Sequence, residues 1–269
     1  MVATDKLFAG SIPEIYHRFL VPLIFEPYAA DLAGRVARAQ PRDVLETAAG
    51  TGVLTRALAS RLAPSVRLVA TDLNQPMLDQ ASRRQAGGRT EWKQADALAL
   101  PFGDTSFDVV ACQFGVMFFP DKVQGYREAR RMLRPGGRFL FNVWGRIEEN
   151  DFAHVVTEAL AGVFPDDPPR FMARTPHGHH DVGRIREDLG AAGFADISVD
   201  AVEATSKAAS PRHAAVAFCQ GTPLRNEIEA RDASRLDEAT KRATKALVER
   251  FGQGTIEGRI RAFVVTAER

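Results

Sequence analysis

One stretch of the sequence joins a short apolar strand to a glycine turn and then to the start of a helix. Residues Val44–Gly52 read VLETAAGTG, and a helical pattern begins at Val53. Glycines let the backbone approach a ligand closely, and the first N–H groups of a helix, which have no partner within the helix, attract an anion. This stretch therefore predicts a binding loop for a small molecule.

Acidic side chains follow the first strand and each of the next two. Glu46 ends the first strand, Asp72 ends the second, twenty residues beyond Gly52, and Asp96 ends the third. A carboxylate at the position of Asp72 can accept hydrogen bonds from both hydroxyls of a ribose. Because parallel strands bring their carboxyl ends to one edge of a sheet, we expect these three acids to lie at a single site.

Strands and helices alternate through the part of the chain that must position these residues. The helical patterns end at Pro64, at Gly87 and at Pro135, and this alternation predicts βαβ units in a parallel sheet covered on both faces. We predict an α/β, Rossmann-like, doubly wound sheet of seven mostly parallel strands, with N-terminal helices and helical insertions. The predicted strands span 43–46, 66–70, 90–94, 107–113, 138–144, 197–202 and 259–266.

The ends of the chain are predicted to be mainly helical. Ser11 followed by Glu14 is the pattern of a capping box, and a second N-terminal helix is expected to begin after Pro22. Four prolines in 146–178 surround one helical stretch, and residues 210–250 are mostly helical in pattern.

Composition excludes several classes of protein. The 269 residues carry 35 basic and 34 acidic side chains, and a net charge of +1 argues against a broad electrostatic contact with nucleic acid or an acidic membrane. The two cysteines, Cys112 and Cys219, form no CxxC pair and are expected to be free thiols in a reducing compartment. With neither a signal segment nor a run of about 18 apolar residues, the sequence predicts a cytoplasmic protein without a membrane span.

Taken together, the sequence resembles class I S-adenosylmethionine-dependent methyltransferases. It is most similar to the branch that contains the ubiquinone and menaquinone biosynthesis C-methyltransferases (methyltransferase type 11). The resemblance covers about residues 40–145 and implies transfer of a methyl group from S-adenosylmethionine to a small organic O-, N- or C-nucleophile by in-line displacement, with S-adenosylhomocysteine as product. The segments that carry it are Val44–Gly52, Val69–Met77, Gln94–Phe102, Phe107–Gln113 and Leu133–Phe139.

The resemblance also implies a role for individual residues. Glu46 and the glycine turn would hold the methionine end of the cofactor, Asp72 the ribose hydroxyls, and Asp96 the adenine amino group. Gln113 and Phe114 would lie beside the transferred methyl group. The implied cofactor-binding residues are Tyr16, Glu46, Thr47, Ala48, Gly50, Thr51, Gly52, Asp72, Leu73, Met77, Asp96, Ala97, Gln113 and Phe114.

The resemblance further implies one domain over residues 1–269. Residues 1–40 would form an N-terminal helical cap, residues 41–145 the cofactor-binding core, and residues 146–269 the insertions and the last strands. A small-molecule substrate is expected and no nucleic acid, and the sequence leaves the oligomeric state open.

The sequence offers three alternatives to methyl transfer onto a small molecule. Ala48 stands where the family usually has glycine, so its methyl group is expected to narrow the space for the amino-acid tail of the cofactor, which would suit a non-catalytic binding module. A dinucleotide-dependent oxidoreductase requires a glycine at position 55, where this chain has Thr55. Enzymes that methylate adenine N6 carry Asn/Asp-Pro-Pro-Tyr/Phe after the fourth strand, whereas this chain has Gln113-Phe114-Gly115-Val116.

The sequence offers only candidates for a catalytic residue. Tyr16 and His17 lie on the first predicted helix, where Tyr16 is a candidate contact of the cofactor and His17 a candidate base. His179 belongs to the histidine cluster at 177–180 and is a further candidate base. No metal site is predicted there, because adjacent histidines after a glycine rarely converge and Asp181 has the position of a helix cap.

Overall fold

The structure is a computed structural model that describes residues 3–269. Within those residues, seven strands form one sheet in the order β3-β2-β1-β4-β5-β7-β6, which confirms the predicted fold class. The pairs β1–β2, β1–β4, β2–β3 and β4–β5 are parallel. The strands are β1 (Asp43–Glu46), β2 (Arg67–Asp72), β3 (Glu91–Gln94), β4 (Phe107–Gln113), β5 (Leu133–Trp144), β6 (Asp196–Ala208) and β7 (Ile256–Glu268).

The last strand runs against the others. The N–H of Arg269 donates to the carbonyl of Gly137, and the N–H of Gly145 donates to the carbonyl of Arg261, so β7 pairs with β5 in the antiparallel sense. Both β6 and β7 extend beyond the predicted spans 197–202 and 259–266.

Helices occupy most of the remaining chain. The α-helices are α1 (Ile12–Ile15), α2 (Glu26–Arg38), α3 (Val53–Arg61), α4 (Gln75–Arg84), α5 (Lys122–Met132), α6 (Asp151–Ala161), α7 (Phe171–Arg174), α8 (Val182–Ala191), α9 (Pro211–Gln220), α10 (Leu224–Asp232) and α11 (Leu236–Phe251). A π-helix spans Tyr16–Phe25, and short 3-10 helices lie at Ala3–Lys6, Val116–Phe118, Ile147–Glu149 and Ala233–Arg235.

Two N-terminal predictions are wrong. The Ser11 side chain makes no capping hydrogen bond and instead accepts one from Arg225 Nη1 at 2.6 Å. Pro22 does not separate two helices, because the π-helix passes through it and joins α2 directly. Proline has no N–H to donate in either an α-helix or a π-helix, so the helix passes through Pro22 with that one hydrogen bond missing.

The described chain divides into two compact units. The sheet unit comprises Glu26–Val143, His179–Val202 and Ala262–Arg269, and the helical unit comprises the described residues through Phe25, with Trp144–Gly178 and Glu203–Arg261.

In the sheet unit, α2 and α3 pack on one face of the sheet. Their apolar residues share a core with apolar residues of the strands, so this face of the sheet is buried and apolar up to the strand ends. The members of that core include Leu32, Val36, Val44, Leu54, Leu58, Leu68, Val109, Ala111 and Leu140.

Candidate functional site

The two glycines of the turn after β1 both adopt a left-handed backbone conformation. Gly50 and Gly52 have φ of +56° and +77°, in the left-handed region that favours glycine. A Cβ on Gly52 would lie 3.0 Å from the Trp92 ring, so a side chain there would also be crowded. The N–H of Ala49 donates to the carbonyl of Thr71 at 2.9 Å and ties the turn to β2. The turn then opens α3 at Val53, and the first N–H groups of that helix have no partner within the helix.

Asp72 holds this turn in place. Its Oδ2 accepts a hydrogen bond from the N–H of Gly50 at 2.8 Å, and its Oδ1 accepts one from the N–H of Asn74 at 2.8 Å. The side chain is buried, and burial raises the pKa of Asp72 while the hydrogen bonds oppose that shift. The predicted proximity of this acid to the glycine turn is therefore present in the fold.

Glu46 is also buried, at the end of β1. The Thr55 hydroxyl donates to Glu46 Oε2 at 2.6 Å. Thr55 stands where a dinucleotide-binding turn would have its third glycine, and in this chain it orients the carboxyl group of Glu46. Burial raises the pKa of Glu46 to about 8, although Thr55 and the charge of Arg56 lower it and the charge of Asp72 raises it further. A cation brought next to this carboxyl group would favour its ionised form.

Strand register shows which side chains share a face of the sheet. Glu46 is in register with Ala70 on β2 and with Ala111 on β4, and Ala111 is in register with Leu140 on β5. Residues in register on parallel strands project from the same face, and the face alternates with every residue.

Two residues further along the strands, the same face carries polar side chains. These are Asp72 on β2, Gln113 on β4 and Asn142 on β5, and together with Glu46 at the end of β1 they form a polar row along the carboxyl edge of the sheet. Gln113 and Asn142 are in register with each other. The row therefore contains three of the predicted cofactor-binding residues and one that was not predicted.

Asn142 was missed by the sequence analysis. It is fully buried, and neither its Oδ1 nor its Nδ2 has a hydrogen-bond partner within residues 3–269. The available signal was an asparagine inside the apolar run Phe139–Trp144, which reads FLFNVW. Its position in the row depends on strand register, which that local pattern does not reveal.

The structure gives the methyl group of Ala48 a specific neighbour. Ala48 has φ of +52°, and a Cβ added to Gly115 would lie 2.4 Å from the Ala48 Cβ and 2.6 Å from Cys112 Sγ. The methyl group therefore packs over Gly115, in space that only a glycine leaves open. Cys112 is a buried free thiol, and burial raises its pKa to about 12.

The remaining predicted residues of the sheet unit lie around this edge. Leu73, directly after Asp72, keeps 43% of its side chain exposed, which is unusual for a large apolar residue. The Met77 Cε lies 3.5 Å from where a Cβ on Gly50 would be, so Met77 packs against the turn. Asp96 is exposed and accepts a hydrogen bond from the N–H of Leu98 at 2.9 Å.

Other predicted members of this set are fixed by their own contacts. The N–H of Thr47 donates to the carbonyl of Ala111 at 2.9 Å, and the carbonyl of Thr51 accepts from Arg56 Nη1 at 2.8 Å. Ala97 is half-buried, next to Asp96. Phe114 has φ of +50°, and its buried ring meets the ring of Tyr28 edge-on at 5.3 Å.

The three candidate catalytic residues are divided between the two units. Tyr16 and His17 lie in the π-helix of the helical unit, where the Tyr16 ring packs against Phe8 and Phe25 at 5.9 and 5.3 Å. His179 lies in the sheet unit with its Nε2 3.0 Å from the Tyr126 hydroxyl. Burial lowers the pKa of His179 to about 3, so its ring is neutral near pH 7. Their catalytic roles stay predictions.

Asp181 caps a helix, as predicted. Its Oδ1 accepts hydrogen bonds from the N–H groups of Gly183 and Arg184 at the start of α8. Within residues 3–269, no three side chains of His, Cys, Asp or Glu converge on a common point suited to a metal ion. In the same part of the chain, no helix is both long enough and apolar enough to cross a bilayer.

The residues at this edge fit an adenosyl cofactor. A buried carboxylate stands beside a glycine turn, and an exposed leucine follows it where a flat apolar ring needs a surface. A mostly parallel Rossmann-like sheet with these features is typical of class I S-adenosylmethionine-dependent methyltransferases. The model of a family described as a methyltransferase domain matches residues 44–137.

Comparisons with curated proteins narrow this class. The chain is 37% identical over 143 residues to a demethylmenaquinone methyltransferase from Deinococcus radiodurans, with 51% of this chain and 58% of that relative covered. It is 31% identical over 192 residues to the ubiquinone/menaquinone biosynthesis C-methyltransferase UbiE from Escherichia coli O1:K1, with 66% of this chain and 75% of that relative covered. The chain therefore belongs to the UbiE type of S-adenosylmethionine-dependent methyltransferases.

A solved structure supports the fold alone. A SAM-dependent methyltransferase from Thermotoga maritima superposes with a TM-score of 0.56 and 14% sequence identity, and the match covers 100% of both chains. The chain spans less than two thirds of the Deinococcus relative's length, at 58%.

Proposed function

We propose that this chain transfers a methyl group from S-adenosylmethionine to a small organic acceptor and releases S-adenosylhomocysteine. The observation that carries the proposal is the polar row beside the glycine turn, with Asp72 bonded to Gly50. Membership of the UbiE type supports it. The sulfonium of the cofactor supplies an already activated methyl group, so the protein mainly has to align the acceptor with it.

The charged part of the row would hold the cofactor. Asp72 keeps lone pairs for two ribose hydroxyls while the N–H groups of Gly50 and Asn74 orient its oxygens. Glu46 would receive the amino group of the methionine tail, which compensates the burial of its charge. The exposed side chain of Leu73 would cover the adenine, and Asp96 would accept from the adenine amino group.

The methyl acceptor does not always require a charged or basic group beside it. A general base is required only where the acceptor must lose a proton, and Tyr16, His17 and His179 are the candidates for that role. The net charge of +1 supports a small acceptor rather than a nucleic acid, and we propose that the reaction takes place in the cytoplasm.

Calorimetric titration with S-adenosylmethionine and with S-adenosylhomocysteine tests the proposal first. We expect both to bind one site per chain, and a chain with no affinity for either would overturn it. Formation of S-adenosylhomocysteine is then measured over a panel of phenols, quinones and amines. Cofactor binding without turnover on any of them would favour the non-catalytic binding module.

A further inference from the structure

Asn142 is the one member of the polar row that the cofactor assignment does not use. Its amide is fully buried in the sheet unit, yet neither polar atom finds a partner within residues 3–269. A buried amide without partners lowers the stability of the fold, because it has lost its hydrogen bonds to water. Such a group is expected where a ligand completes the hydrogen bonds.

The position of Asn142 in the row indicates which ligand that is. Neighbouring strands lie about 4.8 Å apart, so Asn142 stands one strand beyond Gln113 on the side away from Glu46 and Asp72. On the proposed function, on which this inference rests, the donor extends from Asp72 to a methyl group beside Gln113. An acceptor in line with that methyl group places its nucleophile about 3–3.5 Å beyond it. The next side chain of the row beyond Gln113 is Asn142.

The chemistry of the amide limits the class of acceptor. Asn142 offers one carbonyl acceptor and one NH₂ donor and carries no charge. On the same face of the sheet its neighbours are Leu140, Ala111 and Gln113, all buried and none of them charged, so a charged group here would lack compensation. We propose that Asn142 binds the methyl acceptor through a neutral hydroxyl or carbonyl group of that acceptor and so positions it.

Binding of small probes tests this without knowledge of the natural acceptor. Phenol carries a neutral hydroxyl group and toluene is the matched apolar ring, and ligand-observed NMR measures both on the protein saturated with S-adenosylhomocysteine. We expect the parent chain to prefer phenol by about tenfold, as one hydrogen bond allows. Asn142→Leu and Asn142→Ala should lose that preference and keep the affinity for S-adenosylhomocysteine within twofold.

The possible failures are distinguishable. A parent chain with no preference for phenol, or a variant that retains it, would overturn the role of Asn142 while the affinity for S-adenosylhomocysteine still supports the proposed function. Absence of that affinity would instead remove the proposed function itself.

Thermal unfolding of the ligand-free chain gives a second readout. Asn142→Leu should raise the melting temperature, because it replaces an unpartnered amide with an apolar group of similar size. Thr240→Val is the control, since the Thr240 hydroxyl donates to Leu236 at 2.8 Å and accepts from Gln220 at 3.1 Å, and it should lower the melting temperature. A fall for Asn142→Leu like that of the control would show that the amide is satisfied within the fold and would overturn the proposal.

Discussion

The polar row has a charged half and a neutral half, and the two differ in how the protein treats them. On β2 and β1, the oxygens of Asp72 and Glu46 accept hydrogen bonds from Gly50, Asn74 and Thr55. On β5, the amide of Asn142 has no partner within residues 3–269. The charged half is thus fixed before a ligand arrives, whereas the amide of Asn142 has both of its polar atoms left for a ligand. Pre-organisation of this kind lowers the free-energy cost of binding the cofactor. On the proposal above, the amide of Asn142 then contributes to the choice of the methyl acceptor.

Loss of Asp72 should break the charged half most completely. Asp72→Ala removes the acceptor for two ribose hydroxyls and also frees the N–H of Gly50, so the affinity for S-adenosylhomocysteine should fall by about 100-fold. Calorimetry measures this directly. Asp79→Ala is the control, because within residues 3–269 the side chain of that acid accepts a hydrogen bond from Gln75 on the same helix, α4, and its loss should leave affinity unchanged. Equal affinity for Asp72→Ala and the parent would reject the ribose assignment.

The two halves meet where Ala48 after β1 packs over Gly115 after β4. Gly115→Ala places a methyl group 2.4 Å from the Ala48 Cβ, and crowding of this kind costs about 1–3 kcal/mol of the free energy of unfolding. Because the turn must then move, cofactor affinity should fall as well. Urea unfolding and calorimetry follow the two effects.

Gly190→Ala is the matched control for that substitution. Gly190 lies within α8, and an added Cβ would meet nothing within 4 Å, so this variant should gain about 0.4–1 kcal/mol of stability. If Gly115→Ala were as stable as this control and bound the cofactor normally, the contact between Ala48 and Gly115 would contribute to neither stability nor cofactor binding.

The buried carboxyl of Glu46 should make binding depend on pH. Its pKa of about 8 means that the ligand-free protein holds a proton there at pH 7, and the ammonium group of the cofactor favours the ionised form. Binding should therefore release a proton, and affinity should rise by up to about tenfold per pH unit between pH 6 and 7.5. Titration in buffers of different ionisation enthalpy measures the released proton. A parent chain with the flat pH profile expected of Glu46→Gln would argue against this role.

The same shift has a consequence for stability. Since the folded pKa of Glu46 lies above the unfolded value near 4.5, its contribution is fully present below about pH 4.5 and is lost as the pH rises through 8. The parent should therefore lose up to about 1.4 kcal/mol per pH unit relative to Glu46→Gln between pH 5 and 8. Denaturant unfolding of both proteins across that range provides the comparison.

Ala48→Gly should have the smallest effect. Glycine relieves the left-handed backbone at φ +52° but gains more freedom in the unfolded chain, so the two changes nearly cancel to within about 1 kcal/mol. The lost methyl group packs over Gly115, so cofactor affinity should change by less than about threefold. An increase of tenfold or more would mean that the methyl group does narrow the cofactor site.

Much of the fold followed from the sequence. The strand–helix alternation and the glycine turn are local patterns, and the order of acids after β1, β2 and β3 was enough to place Glu46 and Asp72 at one edge. The helix boundary predicted at Pro22 was wrong because the π-helix continues through that proline. The additional length of β6 and β7 depends on their pairing in the sheet rather than on local sequence.

The polar row could be predicted only in part. Asp72 and Glu46 lie next to turn residues, and that local pattern identifies them as candidate binding residues. Asn142 lies inside an apolar strand, and only its register with Gln113 shows that it belongs to the row. In the same way, the fit of Ala48 depends on Gly115, a residue 67 positions further along the chain. Contacts between distant segments decide both cases, and no local pattern encodes them.

A crystal structure of the chain with S-adenosylhomocysteine bound tests the central claim most directly. The ribose hydroxyls should lie within hydrogen-bond distance of Asp72, the amino group should face Glu46, and the sulfur should lie beside Gln113 with Asn142 next along the sheet edge. A nucleoside bound elsewhere, or an edge filled by the protein's own side chains while the ligand is present, would contradict the account.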